Sequence, residues 1–283
     1  MPDMNTLAVT GSTGTLGGFV ARELAAAGVS QRLLARTPSR APQLPGATAV
    51  PFAYEDRAAS IKALEGITTL LMISATENPD RLAQHRTFID AACEAGVEHV
   101  VYTSFLGAAP DSIFTLGREH YVTEEYLKAS GLSYTFLRDN FYLDFMPALV
   151  GEDGVIRGPA GDGRASVVAR ADVARVAATV LQNRGSHRNA TYGMTGPEAL
   201  SLTDVAAIIA AHRGAPVTYH NETIPEAYES RRPYGAPDWQ VDAWVSTYTA
   251  IATGDLAAIS PDIEQITGRR PQSLSEFLAS GRP

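Results

Sequence analysis

TLAVTGSTGTLGGFVARELAAAG, residues 6–28, runs from a short β-prone segment into a glycine-rich loop and straight on into a helical pattern. Thr10, Gly11, Gly14 and Gly17 spell T-G-x-x-G-x-x-G, and Leu16, Phe19, Val20, Leu24 and Ala27 then fall on one face of a helix. A strand, a glycine loop and a helix in that order are what a pyrophosphate requires. The backbone must approach the phosphates closely, and the helix start offers free N–H groups and the positive end of its dipole. The stretch therefore predicts a dinucleotide site opening an α/β fold.

The same rhythm continues outward. Apolar, β-prone runs recur at 32–35, 48–50, 69–74, 99–103 and 134–138, with helical patterns between most of them and glycines closing the helices at Gly28, Gly66, Gly96 and Gly131. Alternating strands and helices imply crossovers and a doubly wound parallel sheet, a Rossmann-like domain over residues 1–150. From 151 the rhythm changes. GEDGVIRGPAGDGR (151–164) is rich in turn residues and suits a hairpin or an ordered loop. A helix over 171–183, a strand over 190–196 and a capped helix over 201–214 precede a mainly helical tail. Residues 151–283 read as a smaller α+β substrate lobe, with 165–196 able to rejoin the sheet.

With 45% hydrophobic and 19% charged residues, the chain is an ordinary globule, and a net charge of −8 disfavours a polyanion such as nucleic acid as partner. The start lacks a basic, apolar leader and no segment is long enough to span a membrane, which makes a cytoplasmic location the expectation. Cys93 is the only cysteine, so it forms no internal disulfide. With Phe88, Ile89 and Ala92 it reads as part of a buried stripe. The histidines at 85, 99, 120, 187, 212 and 220 show no ligand spacing, and no metal is expected.

An NAD site usually carries an acid after the second strand; LLARTPSR instead offers Arg36 and Arg40. A guanidinium there suits a 2′-phosphate, so NADPH (NADP+) is the expected cofactor, through Arg36 and with Arg40 as a surface residue. Ser104 closes the fifth strand, where it either meets an acceptor oxygen or caps the next turn. HYVTEEYLK (120–128) has the position of a catalytic helix without its Tyr-x-x-x-Lys: Glu125 follows Tyr121 by four, and Ser130 follows Tyr126 by four. His120 and Glu124 share a face. They form a surface pair or a proton relay in which Glu124 orients His120 and raises its pKa, with Lys128 pairing to Glu124. Phe141, Tyr142 and Phe145 are candidate walls of an aromatic pocket.

VTGSTGTLGG, LLARTPSR, LLMISATE, QHRTFIDAACEAGVEHVVYTS, EHYVTEEYLKASGLSYTFLRDNFY and SVVARADVARVAA together resemble the NmrA-like branch of atypical short-chain dehydrogenases. Within it the chain is most similar to NADPH:quinone oxidoreductases and triarylmethane-dye reductases. The resemblance implies that Gly11, Thr13, Gly14, Thr15, Leu16 and Gly17 hold the pyrophosphate and that Ser74 and Ala75 lie along the nicotinamide half. It further implies that Arg138, Asp139, Asn140, Phe141 and Tyr142 line the nicotinamide pocket and that Arg170 contacts the cofactor. The chain departs from an Asp-Tyr pair after the third strand, having Ala53 before Tyr54.

Ketone reduction needs a proton donor as the alkoxide forms, whereas a reduced quinone leaves as a resonance-stabilised phenolate. Without the dyad, the expected reaction is NADPH-dependent hydride transfer to a quinone or a similar conjugated dye, azo or enone acceptor. The rivals are a non-catalytic NADP(H) sensor that binds a protein partner, and a carbonyl or imine reductase. A homo-oligomer is compatible with the sequence.

Overall fold

The computed structural model describes residues 6–281. The first half alternates as the glycine pattern predicts: β1 (Leu7–Val9), α1 (Thr15–Ala26), β2 (Gln31–Ala35), β3 (Ala47–Pro51), α2 (Arg57–Leu64), β4 (Thr69–Met72), α3 (Arg81–Glu94), β5 (His99–Phe105), α4 (Thr115–Ala129) and β6 (Ser133–Asp139). After β7 (Val155–Gly158), β8 (Arg164–Ala165) and α5 (Arg170–Gln182), the chain returns to the sheet as β9 (Ala190–Met194). Seven parallel strands lie in the order β3-β2-β1-β4-β5-β6-β9, with the order reversing between β1 and β4.

Both faces of this sheet are covered, so alternate residues of each strand enter different cores. Leu71, Val101 and Leu137 pack against α1 and α5, while Leu70, Met72, Val100, Tyr102 and Phe136 pack against α2, α3 and α4. Gly28, at φ +73°, lets α1 stop and turn directly into β2.

The remaining elements are β10 (Leu200–Ser201), α6 (Leu202–Arg213), β11 (Thr218–Asn221), α7 (Ile224–Arg231), α8 (Asp238–Ala252), α9 (Asp262–Thr267) and α10 (Leu274–Ala279). A third core joins them to the C-terminal edge of the sheet, running from Phe105, Phe114 and Leu116 to Leu143, Ile156, Leu202, Val205 and Ile251. This lobe stands over the C-terminal ends of the strands.

Three local readings are corrected. In the 151–164 segment a tight turn is closed by a single antiparallel bridge between Val150 and Ile156, but its two strands do not pair with each other: β7 pairs in parallel with β11 and β8 pairs with β10. Cys93 is exposed: the buried stripe of α3 runs through Arg81, His85, Phe88, Ile89 and Ala92, and Cys93 lies a further 100° around the helix. Ala27 is exposed because α1 has already ended at Ala26.

Candidate functional site

The glycine loop is shaped by two close approaches. Gly11 has φ +62°, and a Cβ on Gly17 would stand 2.3 Å from the Gly11 carbonyl oxygen, so α1 can lie against the loop only with glycine there. Gly14 is the N-cap of α1. No side chain caps the helix and no acid occupies its first turn, leaving the leading N–H groups and the dipole for an anion. Beside the loop, Thr13, Arg36, Thr37 and Arg40 line an open pocket of about 330 Å³. Arg40, read from sequence as a surface residue, faces the same pocket as Arg36.

Beneath the loop, the Tyr54 hydroxyl donates to the Ile73 carbonyl and lies 3.0 Å from Thr10 Oγ1, which accepts from the Ile73 N–H at 2.8 Å. Tyr54 thus ties β1 to the end of β4. At that end both polar groups of Ala75 are held. Its N–H donates to His85 Nε2 at 2.9 Å, and its carbonyl accepts from Arg81 Nε at 2.9 Å. The Ser74 N–H donates to Thr103 Oγ1.

Arg81 continues from this clamp into α4. It donates to Glu119 at 2.8 Å and, through Nη2, to His120 Nε2 at 3.1 Å, so the Nδ1–H of His120 is directed to the Tyr102 hydroxyl 2.9 Å away. Burial, then the charge of Arg81, hold the His120 pKa well below the usual imidazole range. His85 follows the same logic: one nitrogen accepts from Ala75, the other meets Thr123 Oγ1, and burial lowers its pKa to about 3.

Glu124 has different partners. The fully buried carboxylate accepts from Ser104 Oγ at 2.5 Å and, bidentately, from Arg138 at 2.9 and 2.6 Å. This overturns the relay: Glu124 does not orient His120, and the His120 pKa is depressed, because His120 meets Tyr102 and Arg81 while Glu124 is taken by Ser104 and Arg138. The Ser104 hydroxyl is given to Glu124 instead of capping a turn. Lys128 pairs with Glu125 at 2.6 Å instead of Glu124, whose charge is already matched.

Past β6 the side chains split into two groups. Asp139 accepts from the Tyr142 hydroxyl at 2.5 Å, and Arg170 lies 4.5 Å from the Tyr142 ring centroid, 4.1 Å from that of Phe145 and 3.6 Å from Asp144. Asn140 donates to Ser166 Oγ and the Leu256 carbonyl, and its own carbonyl accepts from the Phe141 N–H; the side chain fastens the strand end to the lobe. Phe141 leaves Tyr142 and Phe145 and joins Phe105 and Phe114, with centroids 5.1 and 5.4 Å away. The aromatic pocket read from Phe141, Tyr142 and Phe145 is therefore two clusters.

Residues 11–184 match the sequence model of the NAD(P)H-binding family. The chain belongs to that family. It is 36% identical to quinone oxidoreductase 2 of Escherichia coli (strain K12) over 96% of this chain and 97% of that protein. It is 32% identical to the NAD(P)H azoreductase of Xenophilus azovorans over 95% of each. The crystal structure of the E. coli NADPH-dependent quinone oxidoreductase with NADPH superposes with a TM-score of 0.89 at 34% identity, covering 97% of this chain and 99% of that one. Citrobacter sp. triphenylmethane reductase with NADP(H) gives 0.86 at 29%, covering 98% and 100%.

For a member of the NAD(P)H-binding family, the residues present fit the cofactor on structural grounds. The glycine cradle admits no side chain at position 17, α1 begins uncapped, and two guanidiniums flank the end of β2. Sequence reasoning missed Arg81, His85, Tyr54 and the Phe105–Phe114 pair. Only the positions of Arg81 and His85 in the buried stripe of α3, polar residues where apolar ones are expected, could have marked any of them in advance. Among the described residues, no group of three or more His, Cys, Asp or Glu is arranged to hold a metal, and no helix is long and apolar enough to cross a membrane.

Proposed function

We propose that the protein is an NADPH-dependent reductase acting on quinones or similar conjugated acceptors, including azo and dye molecules. The observation that carries this reading is the state of the α4 side chains: both nitrogens of His120 are engaged and its charge is suppressed, while Ser104 is committed to the buried Glu124–Arg138 pair. Neither His120 nor Ser104 is prepared to protonate an alkoxide. An acceptor that delocalises the incoming negative charge places the least demand on such a site. The family relatives named above, acting on quinones, azo compounds and triphenylmethanes, support the same class of acceptor.

In this reading the first-turn N–H groups of α1 and the loop from Gly11 to Gly17 hold the pyrophosphate. Arg36 and Arg40 grip the 2′-phosphate with charge-assisted bonds that an unphosphorylated ribose cannot return. NADPH, when bound, supplies the hydride. Arg81 and His85 fix the Ala75 peptide and so set the floor under the nicotinamide half. Phe105, Phe114 and Phe141 form an aromatic cluster in the core that joins the lobe to the C-terminal edge of the sheet, a surrounding suited to flat rings.

Purified protein mixed with NADPH and a panel of benzoquinones, azo dyes and triphenylmethane dyes should show acceptor-dependent loss of nicotinamide absorbance. NADPH binding without oxidation by any member of the panel would refute the reading and favour an NADP(H) sensor. Faster turnover with simple ketones or imines than with quinones would refute it in favour of the carbonyl or imine reductase.

A further inference from the structure

Asp139 closes β6 at the C-terminal edge of the sheet, opposite Phe105 of β5 and Met194 of β9, and is 4% exposed. One carboxylate oxygen accepts from Tyr142. The other, Oδ1, has no hydrogen-bond partner among the described residues. A buried carboxylate left half unsatisfied is costly, and Asp139 has no ion pair of its own to offset the cost. The cation facing it from α5, Arg170, bonds Asp144 through its N–H, pairs with the same carboxylate through its guanidinium, and lies over Tyr142 and Phe145. Tyr142, Asp144 and Arg170 are thus the titratable or charged groups around it, and the strands on either side contribute none. Burial pushes the carboxyl up to about 7, with the Tyr142 hydrogen bond and the Arg170 charge holding it from rising further.

The place of this carboxyl in the sheet gives it a function. With Arg36 and Arg40 beyond β2 and the uncapped helix beyond β1, the nicotinamide half of a dinucleotide runs the other way, over the ends of β4, β5 and β6, the last of which lies about 14 Å from β1 at the usual strand spacing. The reduced ring is neutral and the oxidised ring carries a positive charge. We propose that Asp139 is a redox-linked proton site, carrying a proton while NADPH occupies the cleft and releasing it when NADP+ does, so that the carboxylate becomes the counter-charge of the oxidised ring. The balance is simple. The acceptor gains a hydride from NADPH and one proton from solvent; Asp139 gives one proton to solvent as the cofactor becomes NADP+ and regains it when NADPH returns. This inference needs only the dinucleotide site, and it survives if quinones prove to be the wrong acceptors.

The test is cofactor binding, without any acceptor. The affinities of NADPH and NADP+ are measured from about pH 5.5 to 8.5, and calorimetry in two buffers of different ionisation enthalpy counts the protons released. The NADP+-to-NADPH affinity ratio should rise about tenfold across the range for a one-unit pKa difference between the two complexes, and NADP+ binding near neutrality should release a fraction of a proton. Asp139→Asn should flatten the ratio and abolish the release while still binding both forms. In Tyr142→Phe, loss of the hydrogen bond that lowers the Asp139 pKa should move the midpoint to higher pH; this readout also decides the matter if the asparagine variant fails to fold. A pH-independent ratio in the unaltered protein, the same proton release in Asp139→Asn, or an unmoved midpoint in Tyr142→Phe would each overturn the proposal.

Discussion

Replacing Gly17 with alanine puts a methyl group 2.3 Å from the Gly11 carbonyl oxygen, 2.5 Å from the Gly11 carbonyl carbon and 2.9 Å from the Ser12 amide nitrogen. All three are backbone atoms of the phosphate loop, so no side chain can swing away. The loop or α1 must move by about 1 Å to restore ordinary contact. Forced expansion of this kind costs about 1–3 kcal/mol, and at roughly 2–4 °C per kcal/mol for a chain of this size class the melting temperature should fall by about 2–12 °C. The displaced N–H groups should also lose one charge-assisted bond to phosphate, worth about 1.5–3 kcal/mol, or roughly a 10- to 150-fold weaker NADPH Kd. Gly14→Ala is the control. Its Cβ would stand 3.4 Å from the Gly11 oxygen, which is ordinary contact, so its melting temperature should stay within about 2 °C. Thermal unfolding and NADPH fluorescence titration of both variants measure the two effects separately. Equal melting temperatures for Gly14→Ala and Gly17→Ala would refute the close-approach argument.

Arg36→Ala should weaken NADPH binding by about tenfold or more while leaving NADH nearly unchanged, and Arg40→Ala should act in the same direction; equal losses for both cofactors would remove the two arginines from 2′-phosphate recognition. Glu124→Gln leaves Arg138 without its charge partner, and because that guanidinium is 29% exposed the cost should be about 2 kcal/mol, less than for a fully buried pair. Adding Arg138→Gln should recover part of it, and a double variant less stable than the single would contradict the pairing. Cys93 should react stoichiometrically with a disulfide reagent in the native protein. The reaction should be slow near neutrality and faster as pH passes the ordinary thiol range, because partial burial raises its pKa; a thiol silent until denaturation would restore the buried reading.

The sheet was legible because local signals and global topology agree. Each of its first six strands is a short β-prone run, and a glycine such as Gly28 marks where the preceding helix stops. The cofactor loop was legible for the same reason, since one contiguous stretch holds strand, cradle and helix. The lobe was less so: β7 finds its partner in β11, some 60 residues away, and no turn motif announces a parallel pairing of that length. Cys93 was misplaced by a single residue of helical phase.

The α4 side chains show why spacing alone misassigns a polar cluster. His120 and Glu124 are one turn apart, so the sequence offers them to each other; it is silent about Arg81 on α3 and Arg138 on β6, which reach them from other elements. The competition is settled by charge and burial. Arg138 supplies a buried carboxylate with two donors, which a neutral imidazole cannot, and Arg81 presents an N–H to His120 that a protonated ring would repel. With an arginine from another element reaching each of these two side chains, the relay that the helix's own sequence suggests does not form. What remains is a clamped Ala75 peptide beside the cleft. A site floored in this way can hold a ring against nicotinamide while leaving protons to solvent, and that division of labour suits an acceptor whose reduced form is already stable as an anion.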